Sequence, residues 1–140
     1  MDPLIIEDKL EALRRCVDRI ETKRAASADE LSRDPDRQDI LSLNLTRAVQ
    51  LCVDIAMLVL TETEQPSPQT MGDAFDALAH QSLISEALAQ RLRAAVGFRN
   101  IAVHNYQAID WTIVQSITHE RVEDFREFAS TVETYLDNRE

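Results

Sequence analysis

Helix-breaking residues are scarce in this chain of 140 residues, which contains two Gly and four Pro. Good helix formers such as Ala, Leu, Glu, Arg and Gln dominate the rest of the sequence. Apolar residues recur every three or four positions over long segments, and the alternation typical of strands is absent over any useful length. The sequence therefore predicts an all-α fold, an antiparallel bundle of about five helices that forms a single domain over residues 1–140.

Periodicity and capping signals place the individual helices. Asp34-Pro35 and Asp110 are typical helix starts. The second long helix is apolar almost all round from Leu51 to Leu60 and is predicted to be the most buried; this run is about half the length of a membrane span. Helices are predicted at about 4–26, 35–62, 71–80, 86–103 and 111–136, with 25–33 a weak helix or connector and loops at 64–69, 82–85 and 105–109.

A polar stripe interrupts the apolar surface of the second long helix. Asn44, Arg47 and Asp54 recur there at near-helical spacing. Such a stripe is commonly a solvated face. The alternative is a polar line that faces a functional site, and the sequence leaves both interpretations open.

The acidic composition limits the possible partners. A net charge of −10 argues against a broad nucleic-acid footprint, which is normally basic, and no DNA binding is expected of this chain alone. It leaves room for a nuclease with a local positive pocket, which Arg91, Arg93 and Arg99 could supply.

The cysteines and the N-terminus predict a cytoplasmic protein without a membrane segment. Cys16 and Cys52 both fall in apolar helical patterns, as core residues in a reducing cytosol do. No spacing of Cys and His suggests a metal site, and no cofactor motif is present. The first ten residues lack the basic and apolar regions of a signal peptide.

Chemically versatile side chains concentrate in one short stretch, RNIAVHNY, residues 99–106. It contains a permanent cation in Arg99, an amide in Asn100, an imidazole in His104 and a phenol in Tyr106. Asn100 and His104 are four residues apart and share a helix face, so the amide could orient the ring. Arg99 and His104 lie roughly 140° apart on an ideal helix, which suggests a site completed where the helix ends or by a second chain.

An Arg with a nearby His and no nucleophilic Ser or Cys suits phosphate chemistry. The planar guanidinium matches a phosphate and its growing charge, and the imidazole can move a proton near neutral pH. In RNA the neighbouring 2′-OH can serve as the nucleophile, so neither a protein nucleophile nor a metal is required. A structural alternative exists, because Arg and His also suit the dipole and free carbonyls at a helix C-terminus.

The stretch from Gly97 to Trp111, GFRNIAVHNYQAIDW, resembles the Arg-x4-His-x-Tyr signature of the HEPN superfamily, in particular its HepT toxin branch. The resemblance implies an all-α homodimer and a metal-independent endoribonuclease that acts as the toxin of a toxin–antitoxin module. It assigns catalysis to Arg99 and His104, substrate binding or orientation to Asn100, and modification to Tyr106. It further implies a nucleotidyltransferase antitoxin of the MntA type, which adenylylates the tyrosine and forms a larger hetero-oligomer with the toxin.

A second function fits the same residues. The chain could be a non-catalytic helical partner that presents a nucleotide or substrate to a nucleotidyltransferase, with Arg99 and His104 holding phosphate without cleaving it. The acidic composition favours this alternative.

Overall fold

The computed structural model describes residues 1–139 and contains seven α-helices and no strand within them. A single turn of 3-10 helix covers Tyr106–Ala108. The helices are α1 (Pro3–Lys23), α2 (Ala28–Ser32), α3 (Pro35–Leu60), α4 (Met71–His80), α5 (Glu86–His104), α6 (Trp111–Glu120) and α7 (Val122–Asp137).

Side-chain caps start most of these helices. In each case an oxygen of the preceding Asp, Ser or Thr accepts a hydrogen bond from a backbone N–H of the first turn, satisfying a donor that the helix itself cannot. The Asp34 and Asp110 caps and the Pro after Asp34 are as predicted. The capping residues are Asp2, Ser27, Asp34, Thr70, Ser85 and Asp110.

One aliphatic core joins all seven helices, with α3 at its centre. Helix α3 packs along α1 and also contacts α4 and α5, while α7 closes over α1. By length and composition α3 could cross a membrane, but more than half of its most apolar window is buried inside the fold, as expected of a core helix. Cys16 and Cys52 are free and buried, as predicted.

The helix count differs from the prediction of about five at two places. The 25–33 connector contains the short helix α2, whose Leu31 is fully buried. The predicted last helix is broken at Arg121, which ends α6 and precedes α7. Thr118 lies just before the break, fully buried, with its hydroxyl bonded to the carbonyl of Gln115, a local bond that competes with the helical ladder.

Candidate functional site

Arg99 lies in α5, where its guanidinium is half-buried and held by neutral amides. Nη1 donates to Oδ1 of Asn100 at 3.2 Å, and Nη2 donates to Oε1 of Gln50 at 3.3 Å. Its Nε is buried and has no partner within residues 1–139. Because no carboxylate in that range pairs with Arg99, its positive charge remains available to an anion.

Gln50 connects Arg99 to the polar stripe of α3. Its Nε2 donates to Oδ1 of Asp54 at 2.9 Å, so the line runs from Asp54 through Gln50 to Arg99. The other stripe residues differ: Asn44 is buried and bonds the carbonyl of Ile40, one turn back, and Arg47 is exposed. Of the three stripe residues, Asp54 alone is linked to Arg99 by hydrogen bonds within residues 1–139, and the link passes through Gln50. The sequence does not predict Gln50 as a site residue. Its position four residues before Asp54, on the same face of α3, is the signal that could have indicated it.

His104 is the last residue of α5 and is exposed. Within the described part of the chain its ring makes no hydrogen bond or ion pair. Asn100 bonds Arg99 rather than the ring of His104, which differs from the predicted orienting contact. The imidazole is thus open to a ligand, and Asn100 positions the cation.

Tyr106 begins the 3-10 turn and is restrained at both ends of its side chain. The phenol donates to Oδ1 of Asp39 on α3 at 2.6 Å, and the ring packs edge-on against Trp111 with centroids 5.9 Å apart. Partial burial, followed by the bond to Asp39, raises the pKa of the phenol above its ordinary value. The side chain remains 40% exposed, so it can still be approached from solvent.

The predicted arginine pocket does not form. Arg91 pairs with Asp124 at 2.7 Å and with Glu127, while Arg93 pairs with Asp76 at 2.6 Å. These carboxylates occupy both guanidinium groups and direct them to α7 and α4. Of the three arginines, Arg99 is the one that has no carboxylate partner within residues 1–139, and it belongs to the motif itself.

No group of three or more His, Cys, Asp or Glu side chains in residues 1–139 is arranged to hold a metal ion. The motif and its contacts supply a cation, two amides, an imidazole, and a phenol that is bonded to the carboxylate of Asp39. Such a set binds anionic oxygen and transfers protons.

Both sequence and fold are similar to known proteins. The family described as Ribonuclease HepT-like matches residues 6–132. The mRNA nuclease HepT of Shewanella oneidensis is 34% identical over 128 residues, which cover 91% of this chain and 96% of that protein. The tRNA nuclease HepT of Aphanizomenon flos-aquae is 28% identical over 110 residues, covering 79% of this chain and 75% of that protein.

A solved structure extends the comparison to three dimensions. The tri-AMPylated HEPN toxin of Shewanella oneidensis, in complex with MNT antitoxin, matches with a TM-score of 0.87 and 34% identity. The match covers 96% of this chain and 99% of that one. The fold and the order of the helices are therefore those of a HEPN protein.

Proposed function

Because the chain belongs to the ribonuclease HepT-like family, we propose that it is the toxin ribonuclease of a toxin–antitoxin module and that it cleaves RNA through Arg99 and His104. The observation that carries this proposal is the half-buried guanidinium of Arg99, held by Asn100 and Gln50 but neutralised by no carboxylate within residues 1–139. Holding an arginine by neutral amides keeps its charge for a phosphate.

The proposed reaction is a transesterification within RNA. The 2′-oxygen attacks the adjacent phosphorus, the bond from phosphorus to the 5′-oxygen breaks, and the products carry a 2′,3′-cyclic phosphate and a 5′-OH. Arg99 stabilises the charge that grows on the pentacoordinate phosphorus. His104 either takes the proton of the 2′-OH or supplies one to the leaving 5′-oxygen. Asn100 holds the guanidinium in place, and the chain's own residues require no metal for this reaction.

Cleavage of RNA by the purified protein in the presence of EDTA tests the proposal. Arg99→Ala and His104→Ala should each lower the rate by about 10²–10⁴-fold, the usual cost of losing a positioned proton-transfer or charge-stabilising group. Their melting temperatures should stay close to that of the wild type, because both residues lie near the C-terminal end of α5 and neither belongs to the apolar core. Products are read by gel and by mass.

Arg33→Ala and His80→Ala are matched controls, since both residues are exposed and lie away from α5, Arg33 just after α2 and His80 at the end of α4. They should cleave at the wild-type rate. Wild-type activity in His104→Ala would reject the catalytic assignment. Absence of cleavage in the wild-type protein would favour the second function, a non-catalytic partner of a nucleotidyltransferase, with which the net charge of −10 agrees.

We further propose that an MntA-like antitoxin neutralises this toxin by adenylylation. The hydroxyl oxygen of Tyr106 loses its proton and bonds the α-phosphorus of ATP, pyrophosphate leaves, and AMP remains on the tyrosine. One relative of known structure is an AMPylated HEPN toxin in complex with its antitoxin, and the Tyr106 phenol here is partly exposed. A phosphodiester at this position would add negative charge within the motif, where it can pair with Arg99 and exclude RNA. The toxin, as a homodimer, would form a larger hetero-oligomer with the antitoxin.

Intact mass after incubation with antitoxin, ATP and Mg²⁺ tests this modification. The wild-type chain should gain AMP units and Tyr106→Phe should gain none, while the mutant stays folded and resists neutralisation. Tyr135→Phe is the matched control, because Tyr135 is the other tyrosine of the chain and its hydroxyl is bonded to Glu62 at 2.7 Å. Full labelling of Tyr106→Phe would show that the acceptor lies elsewhere.

We propose, finally, that residues 1–140 act as one cytoplasmic HEPN domain. A single core cluster drawn from all seven helices supports one folding unit, and two free, buried cysteines are in keeping with a reducing compartment.

A further inference from the structure

A groove between α1 and α3 is lined on both walls by arginines. Arg15 and Arg19 project from α1 and Arg47 from α3, and Gln50 closes one end. The cavity measures about 550 Å³. We name it the α1/α3 groove and define it by these four residues.

The three arginines of the α1/α3 groove are free to bind an anion. All three are exposed, and within residues 1–139 none of them forms an ion pair or a side-chain hydrogen bond. No described residue that lines the groove is acidic. The net charge of the chain is −10, and carboxylates pair with most of its other arginines. The arginines of this groove differ from those because no carboxylate lies among the described residues that line it.

One arginine from each wall acts on the same thiol. Burial raises the pKa of the Cys16 thiol in the groove floor, and the charges of Arg47 and Arg15 oppose this rise. Guanidinium groups from α1 and α3 therefore lie close enough to the same atom to influence it. Arg15 and Arg19, four residues apart on α1, are separated by roughly 6 Å along the helix axis, a spacing similar to that of successive phosphates in a nucleic-acid strand.

The α1/α3 groove leads to the candidate site through Gln50. This side chain is part of the groove wall and also accepts the hydrogen bond from Nη2 of Arg99 at 3.3 Å. An anionic strand lying in the groove would thus meet Arg99 at its end. A continuous row of unpaired cations suits an extended phosphodiester chain better than a flat protein surface.

We propose that the α1/α3 groove binds the phosphate backbone of the RNA substrate and guides it to Arg99, with Arg15, Arg19 and Arg47 as phosphate ligands. This inference rests on the ribonuclease function proposed above. It assigns these arginines to affinity and strand placement, whereas cleavage belongs to Arg99 and His104. Contacts with phosphates carry no base information, so the groove is expected to bind strands of different sequence alike.

The test measures binding of a short single-stranded RNA to the full chain carrying His104→Ala, so that the RNA stays intact, at several salt concentrations. Arg15→Gln/Arg47→Gln removes one cation from each wall, and Arg14→Gln/Arg33→Gln removes the same charge from exposed residues outside the groove. Losing two phosphate contacts should lower the slope of log affinity against log salt by about 1.4. The control pair should leave the slope unchanged, and Arg15→Lys/Arg47→Lys should restore it.

Each other result counts against the proposal in a distinguishable way. If the groove pair and the control pair bind RNA with equal slopes, the α1/α3 groove is not a phosphate site, while cleavage by the wild type leaves the ribonuclease function intact. If the groove pair binds RNA normally but no longer binds the antitoxin, the groove is a protein-docking surface and the proposal is wrong. If the chain neither binds nor cleaves RNA, both proposals fail.

Discussion

At the residue scale, partial burial and the contact with Asp39 together determine how the phenol of Tyr106 titrates. The hydroxyl donates to the carboxylate at 2.6 Å, and the ring leans on Trp111. Partial burial disfavours the phenolate, and the neighbouring Asp39 carboxylate disfavours it further, so the pKa of Tyr106 is raised. The neutral phenol therefore contributes stability that is present below the unfolded pKa of about 10 and is lost as the pH rises through the folded pKa.

Replacing Asp39 should lower the pKa of Tyr106 toward its ordinary value. In Asp39→Asn the neighbouring charge is gone, although an amide oxygen can still accept the hydrogen bond, so the phenolate forms at lower pH. The titration is followed by phenolate ultraviolet absorbance in a Tyr135→Phe background, where Tyr106 is the only remaining tyrosine. Asp36→Asn, an exposed change on the same helix, is the control and should not move the titration. An unchanged pKa in Asp39→Asn would mean that burial alone sets it.

At the element scale, local sequence signals and long-range contacts were predicted with different success. The starts of α3 and α6 follow from a capping residue directly before the helix. The break at Arg121 cannot be predicted from such a local signal. It depends on how α6 packs on α2 while α7 packs on α1. Packing partners that are distant in sequence leave no periodic signal, so two helices were predicted as one.

The candidate site shows the same difference between local signals and long-range contacts. The sequence identified Arg99, Asn100, His104 and Tyr106, because they are clustered within eight residues. Their contacts with Gln50 and Asp39 join residues that lie 49 and 67 positions apart. The neutralisation of Arg91 and Arg93 also comes from acidic residues on other helices, so the charge of the pocket could not be read from the spacing of arginines.

The two glycines of the chain allow a matched test of helix stability. Gly97 lies in α5 two residues before Arg99, and a methyl group added there meets nothing within 4 Å. Gly97→Ala should raise the free energy of unfolding by about 0.5–1 kcal/mol, because Ala loses less conformational entropy in a helix. Urea denaturation measures the change.

Gly72→Ala is the counterpart, in which steric contact opposes the same entropic gain. The added Cβ would lie 2.9 Å from Nη1 of Arg93, the group that pairs with Asp76. The guanidinium must shift, so the expected gain is smaller than for Gly97→Ala, or stability falls. A larger gain at Gly72 than at Gly97 would contradict this account.

At the scale of the whole molecule, polar contacts hold the C-terminal segment against Glu62, just after α3, while apolar surface remains near the motif. Glu62 accepts from Tyr135 at 2.7 Å and pairs with Arg139 at 2.8 Å. Burial and the hydrogen bond to Glu62 raise the pKa of Tyr135 to about 12. Around the motif, by contrast, Ile101 and Ile113 are 44% and 55% exposed. They border a largely apolar groove of about 570 Å³ between α5 and α6.

Exposed apolar side chains beside the RNIAVHNY segment predict a two-fold dimer with the two copies of this segment near the shared interface. Light scattering at micromolar concentration should give twice the mass of one chain. Ile101→Glu/Ile113→Glu should yield monomers and lose activity, because the substitution places charge in an apolar interface. Leu4→Glu, at a 65% exposed position at the start of α1 and outside this groove, is the control and should remain dimeric. An active monomeric wild type would show that one chain builds the whole site, with Arg99 and His104 both contributed by a single α5.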